Sequence, residues 1–285
     1  MMETRIKTSV LYRTVMYRQS MQEYIERSME SLILNHEYID NIIILKNDKI
    51  SYWDFSKLHN LLDGKVNIYE IEDHTSTNFS SFRLGVETFL KLPGAPRLLS
   101  LLDGDDAYLP GGLKVRVESK NSGVQNSRLD TIEYKQMKDS WVETGRTRSN
   151  YMPSFIQAAR YKNSAFSTGL TITRRFIESV LLKAFERIEG VQIYDFIYED
   201  FLLWSLAQLL NQADFVFEPT GIYRKFGFVR KEKRPEDASV REAICNSLTA
   251  IVIEFVMDAL GKREIVKDTI TGVMDISYSG VAVKF

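Results

Sequence analysis

Short apolar runs alternate with longer amphipathic segments through the first hundred residues of the chain. Four of these runs are rich in Val, Ile or Leu and predict buried β-strands, at 9–16, 41–45, 66–71 and 98–102. Apolar residues at helical spacing predict helices between them, over 21–33, 53–62 and 82–90. Strands that alternate with helices, without hairpin turns between them, indicate an α/β protein with a mostly parallel sheet and right-handed crossovers.

The fourth strand leads into a cluster of three carboxylates. Asp103, Asp105 and Asp106 occupy three of four consecutive positions, and Gly104 separates the first two. Carboxylates this close repel one another, so the loop is stable only with a bound cation or with dense hydrogen bonding. Ligands of open α/β sheets bind beyond the carboxyl ends of the strands, and we therefore interpret this loop as a ligand site. An acidic surface turn is the alternative interpretation. An EF-hand calcium loop is excluded, because the position at which that loop needs glycine is Tyr108.

Residues 114–165 differ from the regions on either side because they are polar and have few periodic apolar positions. Between 114 and 175 there are 12 Lys/Arg against 5 Asp/Glu, and a second basic stretch covers 224–234. Five aromatic residues are interleaved with the first stretch: Tyr134, Trp141, Tyr151, Phe155 and Tyr161. Cations and aromatic rings suit the backbone and bases of a nucleic acid. A solvated surface with scattered counter-charges is the alternative interpretation.

The remainder of the chain returns to regular apolar patterns. They predict helices over 171–188, 199–210 and 244–259, a strand over 214–219 and edge strands in the tail 265–285. The helix over 199–210 begins with a second acidic pair, Glu199 and Asp200. We interpret the apolar stripe of the helix over 244–259 as core packing, with a partner helix or a membrane surface as the alternative.

Composition narrows the classes of protein to consider. A hydrophobic fraction of 44% and a charged fraction of 26% are typical of a globular protein with a core. The single cysteine, Cys245, excludes an internal disulfide and a thiolate zinc site. No apolar stretch approaches the roughly 20 residues of a membrane span, and no apolar signal core follows the N-terminal charges. We therefore expect no transmembrane segment and a cytoplasmic location.

The order and spacing of the elements and acidic motifs resemble the family-2 glycosyltransferases of the GT-A fold, over about residues 8 to 230. Five motifs carry the resemblance: Val15-Met16-Tyr17-Arg18, Asn41-Ile42-Ile43-Ile44-Leu45, Leu102-Asp103-Gly104-Asp105-Asp106, Tyr198-Glu199-Asp200-Phe201 and Ile222-Tyr223-Arg224. The resemblance implies a GT-A-like, Rossmann-type, mostly parallel sheet flanked by helices, in a glycosyltransferase domain over 1–234. Residues 1–113 would form its nucleotide-sugar half and 114–234 its acceptor half. Residues 235–285 would form a C-terminal helix and strand appendage.

The same resemblance implies a metal-dependent, inverting, hexosyltransferase-like enzyme that moves a sugar from a nucleotide-diphospho-sugar, most simply a UDP-sugar, to an acceptor hydroxyl. Asp103 would contact the ribose of the donor. Asp105, together with Asp106, would hold Mn²⁺ or Mg²⁺, which prefer an all-oxygen site. Asp200 would be the general base, and its place in the first turn of a helix would keep its carboxylate ionised through the helix dipole.

Three further positions follow from the resemblance as donor-binding residues. Tyr17 and Asp48 lie where the family contacts the nucleotide base, and Arg83 matches a polar position on the helix after the third strand. Arg224 or Lys225 would meet the diphosphate. The chain departs from the family in two places. Lys46-Asn47-Asp48 follows the second strand where the family has two acidic residues, and no histidine follows Arg224.

Three hypotheses about the acceptor and the activity remain at this point. The family's usual acceptors are a surface polysaccharide, a lipid-linked sugar or a protein side chain, which favours surface glycan or glycoconjugate synthesis. The basic, aromatic segment keeps DNA with hydroxylated bases as an alternative acceptor. A protein that binds nucleotide-sugar or glycan without turnover is the third hypothesis, supported by the two departures from the family pattern.

Overall fold

The computed structural model describes residues 6–14, 22–47, 54–75, 77–137, 140–148, 166–189, 198–226, 247 and 249–261. The strands within these ranges are β1 (Thr8–Arg13), β2 (Ile39–Asn47), β3 (Asn67–Asp73), β4 (Leu98–Asp103), β5 (Ala107–Tyr108), β6 (Val124–Met137), β7 (Ser140–Arg148), β8 (Leu170–Thr173) and β9 (Ala213–Phe226). The helices are α1 (Gln22–Leu34), α2 (Ser56–Leu62), α3 (Asn78–Lys91), α4 (Gly112–Glu118), α5 (174–188, with a π-helical turn at Ile177–Leu181), α6 (Glu199–Leu209) and α7 (249–259, π-helical over Phe255–Ala259).

The first four strands form the parallel half of one sheet, in the order β3-β2-β1-β4, as the alternation of strands and helices predicts. On the far side of β4 the sheet becomes mixed and continues β8-β6-β9-β5, with β7 paired to β6. In this register Arg13 lies between Leu45 and Asp103, at the carboxyl end of the parallel strands. The predicted α/β class is confirmed, and the acidic loop leaves the sheet at the edge where ligand sites of such sheets are found.

Two predictions for the second half are wrong in detail. Residues 171–173, predicted as helix, belong to β8, and the helix starts only at 174, where the Thr173 side chain accepts a hydrogen bond from Phe176 N. The polar composition of 114–165 predicts a long irregular segment, but the described part of this region contains most of α4 and the β6–β7 hairpin. It lacks apolar alternation because β6 buries polar side chains, including Gln125 and Asn126. Gln125 Nε2 donates to backbone carbonyls, which makes its burial tolerable.

Alternate residues of the central strands pack into two hydrophobic clusters on opposite faces of the sheet. Val10 and Tyr12 belong to the cluster covered by α1 and α2, whereas Leu11 belongs to the cluster covered by α3, α5 and α6. Because both faces are buried, these strands are apolar at nearly every position. The second cluster also includes Val252 and Phe255 of α7. This confirms core packing for the described part of that helix, while the tail 265–285 lies outside the described residues.

None of the helices in the described ranges is both long enough and apolar enough to cross a membrane.

Helix α4 packs against β9 at very short range. A Cβ atom placed on Gly112 would lie 2.0 Å from the carbonyl oxygen of Thr220. Next to this contact, Arg116 Nε and Nη2 donate to Thr220 Oγ1 at 2.9 and 2.8 Å. Glycine is therefore required at 112 by the approach of another backbone segment, and not by its dihedral angles.

Replacing Gly112 by alanine is expected to destabilise the protein by about 1–3 kcal/mol, because the added methyl group forces α4 away from β9. Gly145→Ala is the matched control, since a Cβ there has no neighbour within 4 Å, and its effect is expected to stay within about 0.5 kcal/mol. Urea unfolding of both variants measures the difference. Equal midpoints for the two variants would contradict the close packing of α4 on β9.

Candidate active site

The centre of the site is a buried ion pair between the ends of two adjacent parallel strands. Arg13 ends β1 and Asp103 ends β4, and the two residues face each other in the strand register. Arg13 Nε and Nη2 donate to Asp103 Oδ1 at 2.9 and 2.5 Å. The side chain of Arg13 is only 3% exposed, whereas that of Asp103 retains 20% exposure. Asp103 is thus fixed from the protein side and still accessible to a ligand.

The same guanidinium reaches a second carboxylate. Arg13 Nη1 lies 2.7 Å from Glu199 Oε1, at the first residue of α6. The Ser167 hydroxyl donates to the same Glu199 oxygen at 3.0 Å. Burial lowers the affinity of a guanidinium for its proton, but the charges of Asp103 and Glu199 raise the pKa of Arg13 above its ordinary value. Arg13 therefore remains a cation that joins the acidic loop to the start of α6.

Asp106 is held inside the protein by two hydrogen bonds. Its Oδ2 accepts from the Thr168 hydroxyl at 2.5 Å, and its Oδ1 accepts from the backbone N–H of Arg224 at 2.8 Å. The residue is 1% exposed, and burial, followed by the charges of Asp105 and Asp103, raises the pKa of its carboxyl group well above the ordinary value. Thr168 also accepts from the backbone N–H of Asp103 at 3.2 Å, so the loop is closed at two points.

Arg224 belongs to the site, where the motif analysis places it. Its Nη1 donates to the backbone carbonyl of Asp105 at 2.7 Å, and its guanidinium carbon lies 5.5 Å from the centre of the Tyr24 ring. The side chain is 5% exposed. Arg224, a residue of β9, thus stabilises the acidic loop through hydrogen bonds from both its backbone N–H and its side chain. Its contact with a diphosphate stays a prediction.

Asp200 follows Glu199 in the first turn of α6 and differs electrostatically from the sequence-based expectation. Burial and then the negative charge of Glu199 raise the pKa of the Asp200 carboxyl group to about 7; Asp103 acts in the same direction, and Arg13 opposes it. The expectation that the helix terminus keeps this carboxylate ionised is therefore too simple. The hydrogen bond from Phe201 N does lower the pKa, but burial outweighs it. A carboxyl group that exchanges its proton near neutral pH suits a general base.

A divalent cation fits this site only in part. The donor set is purely oxygen, as Mn²⁺ and Mg²⁺ prefer, but Arg13 already neutralises Asp103, and both oxygens of Asp106 are hydrogen-bonded. Within the described ranges no three His, Cys, Asp or Glu side chains converge in a way that would enclose a metal ion. The assignment of Asp105 and Asp106 as metal ligands stays a prediction.

Three further donor-binding residues are predicted from the sequence: Tyr17, Asp48 and Arg83. Tyr17 and Asp48 lie outside the described residues. Arg83 is on α3, where its Nε pairs with Glu87 at 2.9 Å and its Nη1 with Glu189 at 3.3 Å. These contacts join α3 to the end of α5, and a donor-binding role for Arg83 stays a prediction.

The basic character predicted for the region after 114 is reduced by ion pairs. Three of its described cations face carboxylates: Lys120 with Asp214, Arg146 with Glu143, and Lys225 with Glu133. Of the interleaved aromatic residues, Tyr134 packs edge-on against Tyr24, whereas Tyr151, Phe155 and Tyr161 lie outside the described residues. The described part of this region therefore carries mixed charge rather than a continuous cationic surface.

Sequence reasoning missed Arg13, Thr168 and the buried role of Glu199. Arg13 gave a faint signal, because it is a charged residue directly after the apolar run Val10-Leu11-Tyr12 of a buried strand. Thr168 gave none, since its partner Asp106 is 62 residues away. Contacts of this kind depend on the tertiary fold and have no local pattern.

Thr168→Val is expected to destabilise the protein by about 1–3 kcal/mol, because it leaves a buried oxygen of Asp106 without its donor at nearly constant side-chain volume. The control is Thr88→Val on α3, where the hydroxyl donates to the Leu84 carbonyl in a partly exposed position; its effect is expected within about 0.5 kcal/mol. Thermal unfolding compares the two variants. A Thr168 variant as stable as the control would show that this hydrogen bond does not hold the loop.

Solved structures support the fold. Residues 1–349 of S. aureus TarS in complex with UDP-GlcNAc superpose with a TM-score of 0.56 at 13% identity, over 95% of this chain and 74% of that one. GalNAc-T7 with UDP, GalNAc and Mn²⁺ superposes with a TM-score of 0.52 at 14% identity, over 90% of this chain and 49% of that one.

Comparison with protein-family models and with curated protein sequences gives no match. At these levels of identity the structural likeness establishes the fold and not the substrates. The strand order, the acidic loop at the end of β4 and the superpositions agree with the resemblance found in the motifs. The chain has the GT-A fold of the nucleotide-sugar glycosyltransferases.

Proposed function

We propose that the protein is an inverting glycosyltransferase that moves a sugar from a UDP-sugar to an acceptor hydroxyl in glycan or glycoconjugate synthesis. One observation carries this proposal: Asp103 of the acidic loop and Glu199 of α6, the neighbour of Asp200 in the chain, meet at a single buried guanidinium, that of Arg13. This contact supports a proposal in which donor binding and proton transfer take place next to each other at the carboxyl edge of the sheet.

The donor is bound at the acidic loop in this proposal. Asp103 accepts a hydrogen bond from the ribose, using its exposed surface while Arg13 holds the other side. Uridine nucleotides are the natural first probes, since S. aureus TarS was solved with UDP-GlcNAc and GalNAc-T7 with UDP. Asp105, with diphosphate oxygens, would hold Mn²⁺ or Mg²⁺. When bound, the cation offsets the negative charge that develops on the departing nucleotide.

Asp200 takes the proton of the acceptor hydroxyl as the hydroxyl oxygen bonds to the anomeric carbon of the donor sugar. The bond between that carbon and the diphosphate oxygen breaks, and its electron pair leaves with the nucleotide. A single displacement of this kind inverts the anomeric configuration and passes through an oxocarbenium-like transition state. The pKa of about 7 makes Asp200 a stronger base than an exposed aspartate while leaving it largely ionised above neutral pH.

The first test measures nucleotide release from a panel of UDP-sugars, with and without Mn²⁺, using the wild type and Asp105→Ala. We expect metal-stimulated release by the wild type and a fall to the metal-free rate in Asp105→Ala, because the variant removes a carboxylate that would hold the cation in this proposal. Glu118→Ala, an exposed acid at the end of α4, is the control and is expected to behave as the wild type.

The acceptor arms of this assay separate the remaining hypotheses. Stimulation of nucleotide release by simple glycans supports the proposal. Stimulation only by duplex DNA with hydroxymethylated bases would show that the acceptor is DNA and not a glycan. UDP-sugar binding without release, in every arm and both with and without Mn²⁺, identifies a binding protein without turnover. Equal metal stimulation of Asp105→Ala and the wild type would refute the metal assignment.

Asp200→Asn is expected to reduce transfer by about 10²- to 10⁴-fold, because the amide cannot accept the acceptor proton, while UDP affinity stays close to that of the wild type. In the wild type, kcat is expected to rise with pH through about 7 as Asp200 loses its proton. The variant is expected to lack this rise. Steady-state kinetics between pH 5 and 9 and UDP titration calorimetry test both points, and a variant with wild-type kcat would exclude Asp200 as the base.

A further inference from the structure

The buried side chain of Arg13 is unusual for its position in the fold. It lies at the end of a central strand, between β2 and β4, with 3% of its surface exposed. A buried cation is tolerated only when opposite charges and hydrogen bonds compensate its lost hydration. Here two carboxylates compensate it, Asp103 and Glu199, and they come from elements about a hundred residues apart in the chain.

Each carboxylate connects to a different part of the site. Asp103 begins the acidic loop, where Gly104 N donates to the Arg13 carbonyl at 2.8 Å and Asp106 N donates to the Asp103 carbonyl at 2.9 Å. Glu199 begins α6, next to Asp200. The guanidinium therefore contacts the loop with one side and the helix with the other, and the Arg13 backbone also fixes the loop.

A second connection closes these contacts into a ring. Thr168 accepts from Asp103 N at 3.2 Å, and the adjacent Ser167 donates to Glu199 at 3.0 Å. The two hydroxyl residues form a short 3₁₀ turn ahead of β8. The ring runs from Arg13 to Asp103, through the turn, to Glu199 and back to Arg13. Only Arg13 supplies positive charge to it.

We propose that Arg13 is a positioning residue that couples the acidic loop to the first turn of α6, so that the donor-binding and proton-accepting carboxylates keep a fixed arrangement. This inference deepens the proposed function and rests on it for its catalytic meaning. Without the guanidinium, β1 supplies no cation to compensate the charges of Asp103, Glu199 and Asp200. The repulsion among these carboxylates then separates the loop from the helix.

Arginine is required for this role because its planar fork presents several donors in fixed directions. Nε and Nη2 donate to one carboxylate, and Nη1 lies 2.7 Å from an oxygen of the other. A lysine is a single point charge and satisfies one of the two partners at a time. Arg13→Lys therefore keeps the charge but is expected to lose one of the two links.

Hydrogen exchange of the protein without donor tests the coupling directly. In Arg13→Met, peptides covering 103–106 and 198–204 are both expected to exchange at least about tenfold faster, because breaking the buried pairs weakens both segments. Arg116→Met is the control, since Arg116 is equally buried but bonds to the hydroxyl of Thr220 and forms no ion pair in the described part of the chain. Faster exchange in only one peptide, or the same pattern in the control, would overturn the proposal.

A remote effect provides the second readout. Glu199→Gln is expected to speed exchange of the 103–106 peptide in the wild-type background but to add nothing in Arg13→Met, because Arg13 transmits the change. Persistence of the effect in Arg13→Met would argue against coupling through Arg13. If Arg13→Met does not fold, Arg13→Lys is measured in its place. Faster exchange of Arg13→Lys in at least one of the two peptides supports the proposal. Unchanged exchange in both peptides overturns it.

Kinetics connect the coupling with catalysis. Arg13 opposes the rise in the pKa of Asp200, whereas Glu199 and Asp103 promote it, so the rise of kcat with pH is expected to move to higher pH in Arg13→Met. If Arg13→Met has a lower kcat but the same pH profile as the wild type, Arg13 has a structural role only. A wild type that neither binds UDP nor releases it from UDP-sugars would refute the proposed function alone, since the exchange experiments need no ligand.

Discussion

Compensation of negative charge by one buried guanidinium is the interaction on which the arrangement of the site depends. The carboxyl edge of the sheet collects Asp103, Asp105 and Asp106 from the acidic loop and Glu199 and Asp200 from α6. Five carboxyl groups in this space would repel one another strongly without compensation. Arg13 forms ion pairs with two of them, and Asp106 has a raised pKa and accepts two hydrogen bonds. The site can therefore hold its shape through the chain's own residues.

This internal compensation changes the interpretation of the acidic loop. The clustering of carboxylates in the sequence required either a cation or dense hydrogen bonding, and the structure uses both an internal cation and hydrogen bonds. Under the proposed function, a bound metal ion would then serve the chemistry of the donor rather than the folding of the loop. The absence of a histidine after Arg224 is consistent with this division, because Arg224 braces the loop through the Asp105 carbonyl.

The sequence predicted the parallel half of the sheet well because β1 to β4 are buried on both faces and therefore continuously apolar. It predicted β6 poorly because that strand buries Gln125, Asn126 and Ser127, whose polarity hides the pattern. The acidic residues of the site were recognisable from their clustering. Arg13 and Thr168 were not, because their roles arise from partners brought close by the fold, and the raised pKa of Asp200 depends on burial that no local pattern reports.

The continuous pairing of the sheet has a mechanical consequence. The boundary predicted between the nucleotide-sugar half and the acceptor half lies between 113 and 114, yet β4 of the first half is bonded to β8 of the second through the pairs Leu98–Thr173, Leu99–Ile172 and Ser100–Thr171. Strand β6 continues the ladder to β9. Within the described residues the two halves therefore share one backbone framework. Under the proposed function, we expect ligands to enter and leave through movements of single segments rather than through the opening of a cleft between domains.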